Sequence, residues 1–143
     1  MDSKIPLNTF SFEEIHLGST YSFERMVDAN LVDAFAVLSG DYNPLHTDDA
    51  YAAKTQFHGR VAHGMLLASF FSALVGMLCP GLRCLYLSQE LRFKKPALLG
   101  ATVVVTGTVA EKSEATKILM IKTVITNKEG VVLVEGKATV QVI

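Results

Sequence analysis

The sequence predicts an α+β fold in which one curled antiparallel sheet wraps around a single long, buried helix. Three observations predict it. Met65–Leu78 is apolar almost all round, the pattern of a helix buried on every side. Thr20–Val27, Leu85–Phe93, Ala101–Glu111, Lys117–Thr126 and Val131–Ile143 are rich in β-branched, aromatic and alternating apolar residues, and read as strands. No link among the last four strands is long enough for a parallel crossover, so they are expected to run as an antiparallel meander. A sheet with one helix to bury must curl around it.

The elements follow in order. The chain has 143 residues, which suits one domain, 1–143, with one core. Residues 1–18 read as irregular and end at Gly18. After the strand Thr20–Val27, Asp28 or Asn30 can cap a helix whose apolar face is Leu31, Val32, Phe35, Ala36 and Leu38. Gly40 sits where such a helix stops on a left-handed residue. Pro44 has no N–H and pushes Asn43 to an extended conformation, so Asp41–Pro44 leaves the helix. Thr47 is expected to cap a short helix with Asp48 and Asp49 in its first turn. Thr55–Arg60 reads as a loop. The long apolar helix ends at Pro80-Gly81. Leu85, Leu87, Gln89, Leu91 and Phe93 alternate against Tyr86, Ser88, Glu90 and Arg92, and Asn127-Lys128-Glu129-Gly130 is a hairpin turn.

Composition excludes some functions. The net charge of −1 offers no footprint for nucleic acid or an anionic membrane. The opening residues MDSKIPLNTF lack the apolar core of a secretory signal, and Met65–Cys79 is too short to span a bilayer. Cys79 and Cys84 fit a reducing compartment and read as small buried groups rather than as a disulfide or metal ligands. The expected location is the cytoplasm, with a soluble organellar matrix as the other option. A sheet this short has exposed edges, and pairing them across a two-fold axis makes a homodimer the default.

The chemistry gathers in Ser39–Met65, SGDYNPLHTDDAYAAKTQFHGRVAHGM. Asp41 and His46 lie five apart on what reads as one non-helical segment stiffened by Pro44. An imidazole can accept and donate a proton near neutral pH, and a carboxylate beside it can hold a water. The plainer alternative is that Asp41 only closes an Asx-turn and His46 is solvated. Gly64 opens the apolar helix, where the first N–H groups lack intrahelical partners and can face a developing oxyanion. Alternatively Gly64 only relieves crowding against the sheet. His58 reads as a solvated loop residue and His63 as a maker of a structural hydrogen bond. Asp41, His46, His58 and His63 are metal-ligand types, but no known ligand spacing joins them, so no metal is expected.

The run SGDYNPLHTDDAYAAKTQFHGRVAHGMLLASFFSALVG resembles the hydratase-2 motif of the MaoC-like, (R)-specific enoyl-CoA hydratases, which are single hot-dog domains. The resemblance continues through YLSQELRFKKPALLG and covers nearly all of the chain after Gly18. It implies a hot-dog fold, with the site on a segment overhanging the sheet. It implies that Asp41 and His46 activate a water that adds to C3 of a trans-2-enoyl thioester. A proton then reaches C2 on the same face, giving the (3R)-hydroxyacyl thioester. Gly64 N–H would bond the thioester oxygen, Asn43 would brace the loop or the water, and Ser72 and Val75 would line the acyl pocket. No cofactor is implied. Arg60 stands where many relatives have proline, at the expected mouth of the site.

Three rivals remain in view. A hot-dog thioesterase commonly carries a carboxylate on the central helix, and Met65–Leu78 has neither Asp nor Glu. A non-catalytic acyl-binding subunit has no need of the Asp/His pair. A dehydratase acting on an acyl carrier protein runs the same reaction backwards. Lys54, Arg60, Arg92, Lys94 and Lys95 could supply basic charge for a carrier protein or for CoA phosphates alike.

Overall fold

The computed structural model describes residues 4–143. The irregular lead-in contains one 3-10 turn, Phe12–Glu14. Then come β1 (Thr20–Val27), α1 (Ala29–Ser39), α2 (Pro44–Thr47), α3 (Asp49–Ala53) and α4 (Gly64–Ala73). A wider π-type turn, Leu74–Leu78, continues α4. The chain closes with β2 (Cys84–Phe93), β3 (Ala101–Ser113), β4 (Ile118–Asn127) and β5 (Val132–Val142).

The five strands form one antiparallel sheet in the order β1-β3-β4-β5-β2. The expected four-strand meander is therefore corrected: only β3, β4 and β5 follow one another, and β2 pairs with β5 at the far edge. The reason lies in the β2–β3 link. Lys94–Gly100 contains Pro96 and has no tight-turn chemistry, so it leaves the sheet and bridges through Leu98 to Val61. That frees the flank of β3 for β1, from Thr20 opposite Thr108 to Val27 opposite Ala101.

β2 also departs from simple alternation. A register shift between Tyr86 and Ser88 resets which side chains face inward. Cys84 and Tyr86 point in before it, and Gln89 and Leu91 after it, while Leu85 and Leu87 are exposed. Farther along the pair, opposite Leu91, a Cβ on Gly136 would lie 1.8 Å from the Glu90 carbonyl oxygen, so only glycine lets β5 and β2 approach there.

The core lies between α4 and the sheet. Leu66, Leu67, Phe71 and Leu74 pack against Val103, Val105 and Ile125. Burying each large side chain of this kind stabilises by about 1.5–3 kcal/mol. A second cluster beneath the π-type turn joins Val75 and Cys79 to Phe12, Ile15 and Leu119. The expectation that the helix is buried all round is only partly met. Met65 is 56% exposed, and Ser69 and Ser72 are exposed with it, so one stripe of α4 faces away from the sheet. The serines in that stripe are the only polar side chains of the element, and the sheet together with Val32 and Phe35 of α1 packs against the other faces.

Candidate active site

Each site residue is placed by local chemistry. The Asp28 carboxylate caps α1 by accepting from Leu31 N–H at 2.9 Å, and Gly40 ends the helix in the left-handed region at φ 79°. The chain turns at Asp41, whose Oδ1 accepts from Asn43 N–H at 3.1 Å. That is the Asx-turn, and it occupies one carboxylate oxygen only. Asn43 Oδ1 in turn accepts from Leu45 N–H at 3.0 Å and caps α2, with Pro44 in the first position.

Two expectations are corrected here. His46 lies within the single turn α2, because the Asn43 cap and Pro44 together start a helix. The cap of α3 is Asp48, whose carboxylate accepts from Tyr51 N–H at 3.0 Å. Thr47 instead turns its hydroxyl back to the Tyr42 and Asn43 carbonyls.

His46 is not solvated. Its side chain is 15% exposed, and Nδ1 lies 2.8 Å from the Val61 carbonyl oxygen. A carbonyl can only accept, so Nδ1 carries the proton and Nε2 presents a lone pair. Nε2 is 4.0 Å from Asp41 Oδ2, the oxygen left over by the Asx-turn, on a side chain that is 51% exposed. This gap is too long for a direct hydrogen bond. One water can sit within about 2.8 Å of both groups.

Behind the pair stands His63. Its ring stacks on His46 with centroids 3.9 Å apart, and its Nε2 lies 3.0 Å from the Asp41 carbonyl oxygen. His63 is the residue before Gly64, where α4 begins. Leu66 and Leu67 N–H both bond the His63 carbonyl, and among the described residues no acceptor meets the Gly64 N–H. A Cβ on Gly64 would come within 2.8 Å of the Phe93 ring, so any side chain there would have to displace that half-exposed ring. Beside that amide opens a cavity of about 270 Å3, lined by Leu67, Phe93, Lys94 and Lys95 among others.

Asp41, His46 and Gly64 thus gather around His63. Ser72 is exposed on the open stripe of α4, and Val75 is fully buried in the second core cluster. His58 stands apart, exposed in its loop. Asp41, His46 and His63 each offer a ligand atom within 4.8 Å of one another. The two imidazoles meet face to face, and both Nδ1 of His46 and Nε2 of His63 are engaged by carbonyls. His46 Nε2 and His63 Nδ1 are the ring nitrogens that no carbonyl engages.

Arg60 is the residue that sequence reasoning misplaced. It is buried, at 8% exposure, and does not sit at a mouth. Its Nε–H donates to the His46 carbonyl at 2.5 Å and one terminal nitrogen to Asp33 Oδ1 at 2.5 Å. Asp33 on α1 and Asp49 on α3, 4.0 Å from the guanidinium, were the available signal. They are acidic residues on flanking helices, and Arg60 rather than the nearby Lys54 is the cation that reaches both.

Fold and site together define a hot-dog domain that holds a carboxylate and an imidazole 4.0 Å apart on the segment leading to its central helix. The chain belongs to the MaoC like domain family, which it matches over residues 14–130. It is 42% identical over 135 residues to an (R)-specific enoyl-CoA hydratase of Rhodospirillum rubrum, covering 92% of this chain and 90% of that one. It is 40% identical over 131 residues to an (R)-specific enoyl-CoA hydratase of Aeromonas caviae, covering 92% of this chain and 98% of the relative. Among solved structures, the (R)-hydratase from A. caviae involved in PHA biosynthesis superimposes with a TM-score of 0.89 at 39% identity. That superposition covers 92% of this chain and 99% of the other. No helix among the described residues is long and apolar enough to cross a membrane.

Proposed function

We infer that the chain is an (R)-specific enoyl-CoA hydratase, a hydro-lyase that adds water to trans-2-enoyl thioesters and runs reversibly as a dehydratase. The observation that carries its mechanism is the 4.0 Å separation of His46 Nε2 and Asp41 Oδ2, joined through His63 to a Gly64 amide that meets no acceptor among the described residues.

One water sits between the two groups. His46 Nε2 takes a proton from it as its oxygen bonds C3, and the electron pair of the double bond moves toward the thioester oxygen. Gly64 N–H holds that oxygen, a donor worth about 3 kcal/mol in the transition state. The proton then passes to C2 from the face on which water arrived, leaving the (3R)-hydroxyacyl thioester. Asp41 orients the water and supports the imidazolium, and Asn43 keeps the turn that presents Asp41. No cofactor is required by this acid/base sequence.

Two further features belong to this reading. The exposed Leu85 and Leu87 on edge strand β2 and the open stripe of α4 support a homodimer. Closing that stripe would place Ser72 against the acyl chain, with Val75 setting the floor beneath it. Lys94 and Lys95, at the rim of the cavity beside Gly64, offer positive charge to the phosphates of CoA or of a carrier's pantetheine arm.

The test is consumption of crotonyl-CoA, followed as loss of the conjugated-thioester absorbance, with chiral analysis of the product. Asp41→Asn and His46→Ala should each lower kcat by orders of magnitude with the fold intact. Wild-type turnover in Asp41→Asn would overturn the role given to that carboxylate. A series of enoyl-CoA and enoyl-carrier substrates of rising chain length separates the CoA enzyme from the carrier-protein dehydratase.

A further inference from the structure

We propose that His63 is a positioning residue that locks Asp41 to the Gly64 amide through an Nε2–H bond, while its ring holds the His46 imidazole in place. This rests on the hydratase reading above and adds to it the part that sets the spacing between water and oxyanion donor.

The geometry is specific to this residue. His63 is 2% exposed and is joined to Gly64 by one peptide bond. Its carbonyl accepts from Leu66 and Leu67, so its backbone moves with α4. Its ring reaches the other way, to the loop. Nε2 lies 3.0 Å from the Asp41 carbonyl oxygen, which can only accept, so Nε2 carries the proton. His46 covers one face of the ring at 3.9 Å, and Phe35 of α1 meets it edge-on at 4.9 Å. The ring is thereby packed between α1 and α2. All three groups of the site are referred to one rigid side chain.

Packing alone does not account for an imidazole here. Nδ1 of His63 is buried and has no hydrogen-bond partner among the described residues. An apolar ring would fill the same space without leaving a nitrogen unpaired. What the imidazole adds is the bond to Asp41. The two stacked rings consequently carry the bonded proton on opposite nitrogens, Nδ1–H on His46 and Nε2–H on His63.

Two variants and one spectrum test this. His63→Gln places an amide nitrogen where Nε2 lies, and His63→Phe keeps the ring without the donor. With crotonyl-CoA, His63→Phe is expected to lose about tenfold or more in kcat with KM within about twofold, since a misplaced catalytic group costs turnover rather than binding. His63→Gln keeps the donor but not the ring, and its kcat is expected to fall between those of wild type and His63→Phe. Wild-type turnover in His63→Phe, or equal losses in both variants, overturns the proposal. Should either variant fail to fold, the imidazole nitrogen resonances of the wild-type protein decide. A protonated Nε2 on His63 beside a protonated Nδ1 on His46 supports the proposal, and any other tautomer on His63 overturns it. The spectrum needs no turnover, so it is readable even if the protein proves inactive on every enoyl thioester.

Discussion

Arg60 Nε–H lies 2.5 Å from the carbonyl oxygen of His46, and the residue after it grips the same turn from the other side. Val61 N–H donates to the Leu45 carbonyl at 3.3 Å, and the Val61 carbonyl accepts from His46 Nδ1 at 2.8 Å. Two consecutive residues thus fix both the backbone and the ring of His46. Arg60→Met should leave the His46 carbonyl without its charged donor, at about 1–3 kcal/mol in stability. It should lower kcat by about tenfold, because the imidazole is then free to shift. Thermal unfolding and steady-state kinetics on the same preparation check both effects.

A methyl group on Gly64 meets Cδ1 of Phe93 at 2.8 Å. Gly64→Ala should therefore destabilise by about 1–3 kcal/mol and displace the free amide. Phe93→Leu removes the clashing edge. The two substitutions should couple by about 0.5–3 kcal/mol, measurable as non-additive denaturation midpoints in a double-mutant cycle.

Gly136→Ala is a harsher change. Its Cβ would fall 1.8 Å from a backbone oxygen, which no side-chain rotation can relieve. The edge strand must part from β5, with a loss of about 3 kcal/mol or more. Hydrogen exchange should show protection falling across Glu90–Arg92 before the rest of the sheet.

Burial pushes the Cys79 thiol from 9.0 up to about 12, and burial with the neighbouring Cys84 pushes the Tyr86 phenol from 10.0 up to about 12. In the unfolded chain both ionise earlier. The unfolded state therefore releases protons first as pH rises, and the stability held below about pH 9 is lost progressively toward pH 12. Urea midpoints should fall over that window, and Cys79→Ala should flatten the first part of the decline. Thiol reagents at pH 8 should spare Cys79 until the protein unfolds.

Much of this molecule was legible in its residues, for reasons that are local. Asp28 and Gly40 delimit α1 by their own chemistry, and the Asn127–Gly130 turn closes β4 onto β5. The pairing of Asp41 with His46 was readable because Pro44 fixes the short path between them. Strand order was not, since β1 and β2 are placed by competition for the flanks of the meander. The register shift in β2 was also hidden, because Leu85 and Leu87 keep the alternation of a regular strand. Arg60 read as a surface charge because its partners, Asp33 and Asp49, come from helices whose approach no single segment determines.

The strand order has one more consequence. β1 and β2 stand at opposite edges, and Asp41, His46, His63 and Gly64 all lie on the single traverse that carries the chain from one to the other. The three-strand ladder of β3, β4 and β5 carries none of these four residues, and Val134 of β5 only lines the cavity beside Gly64. The scaffold is therefore a loom on which the reactive thread can be rewoven, in specificity or in reaction, without disturbing the warp.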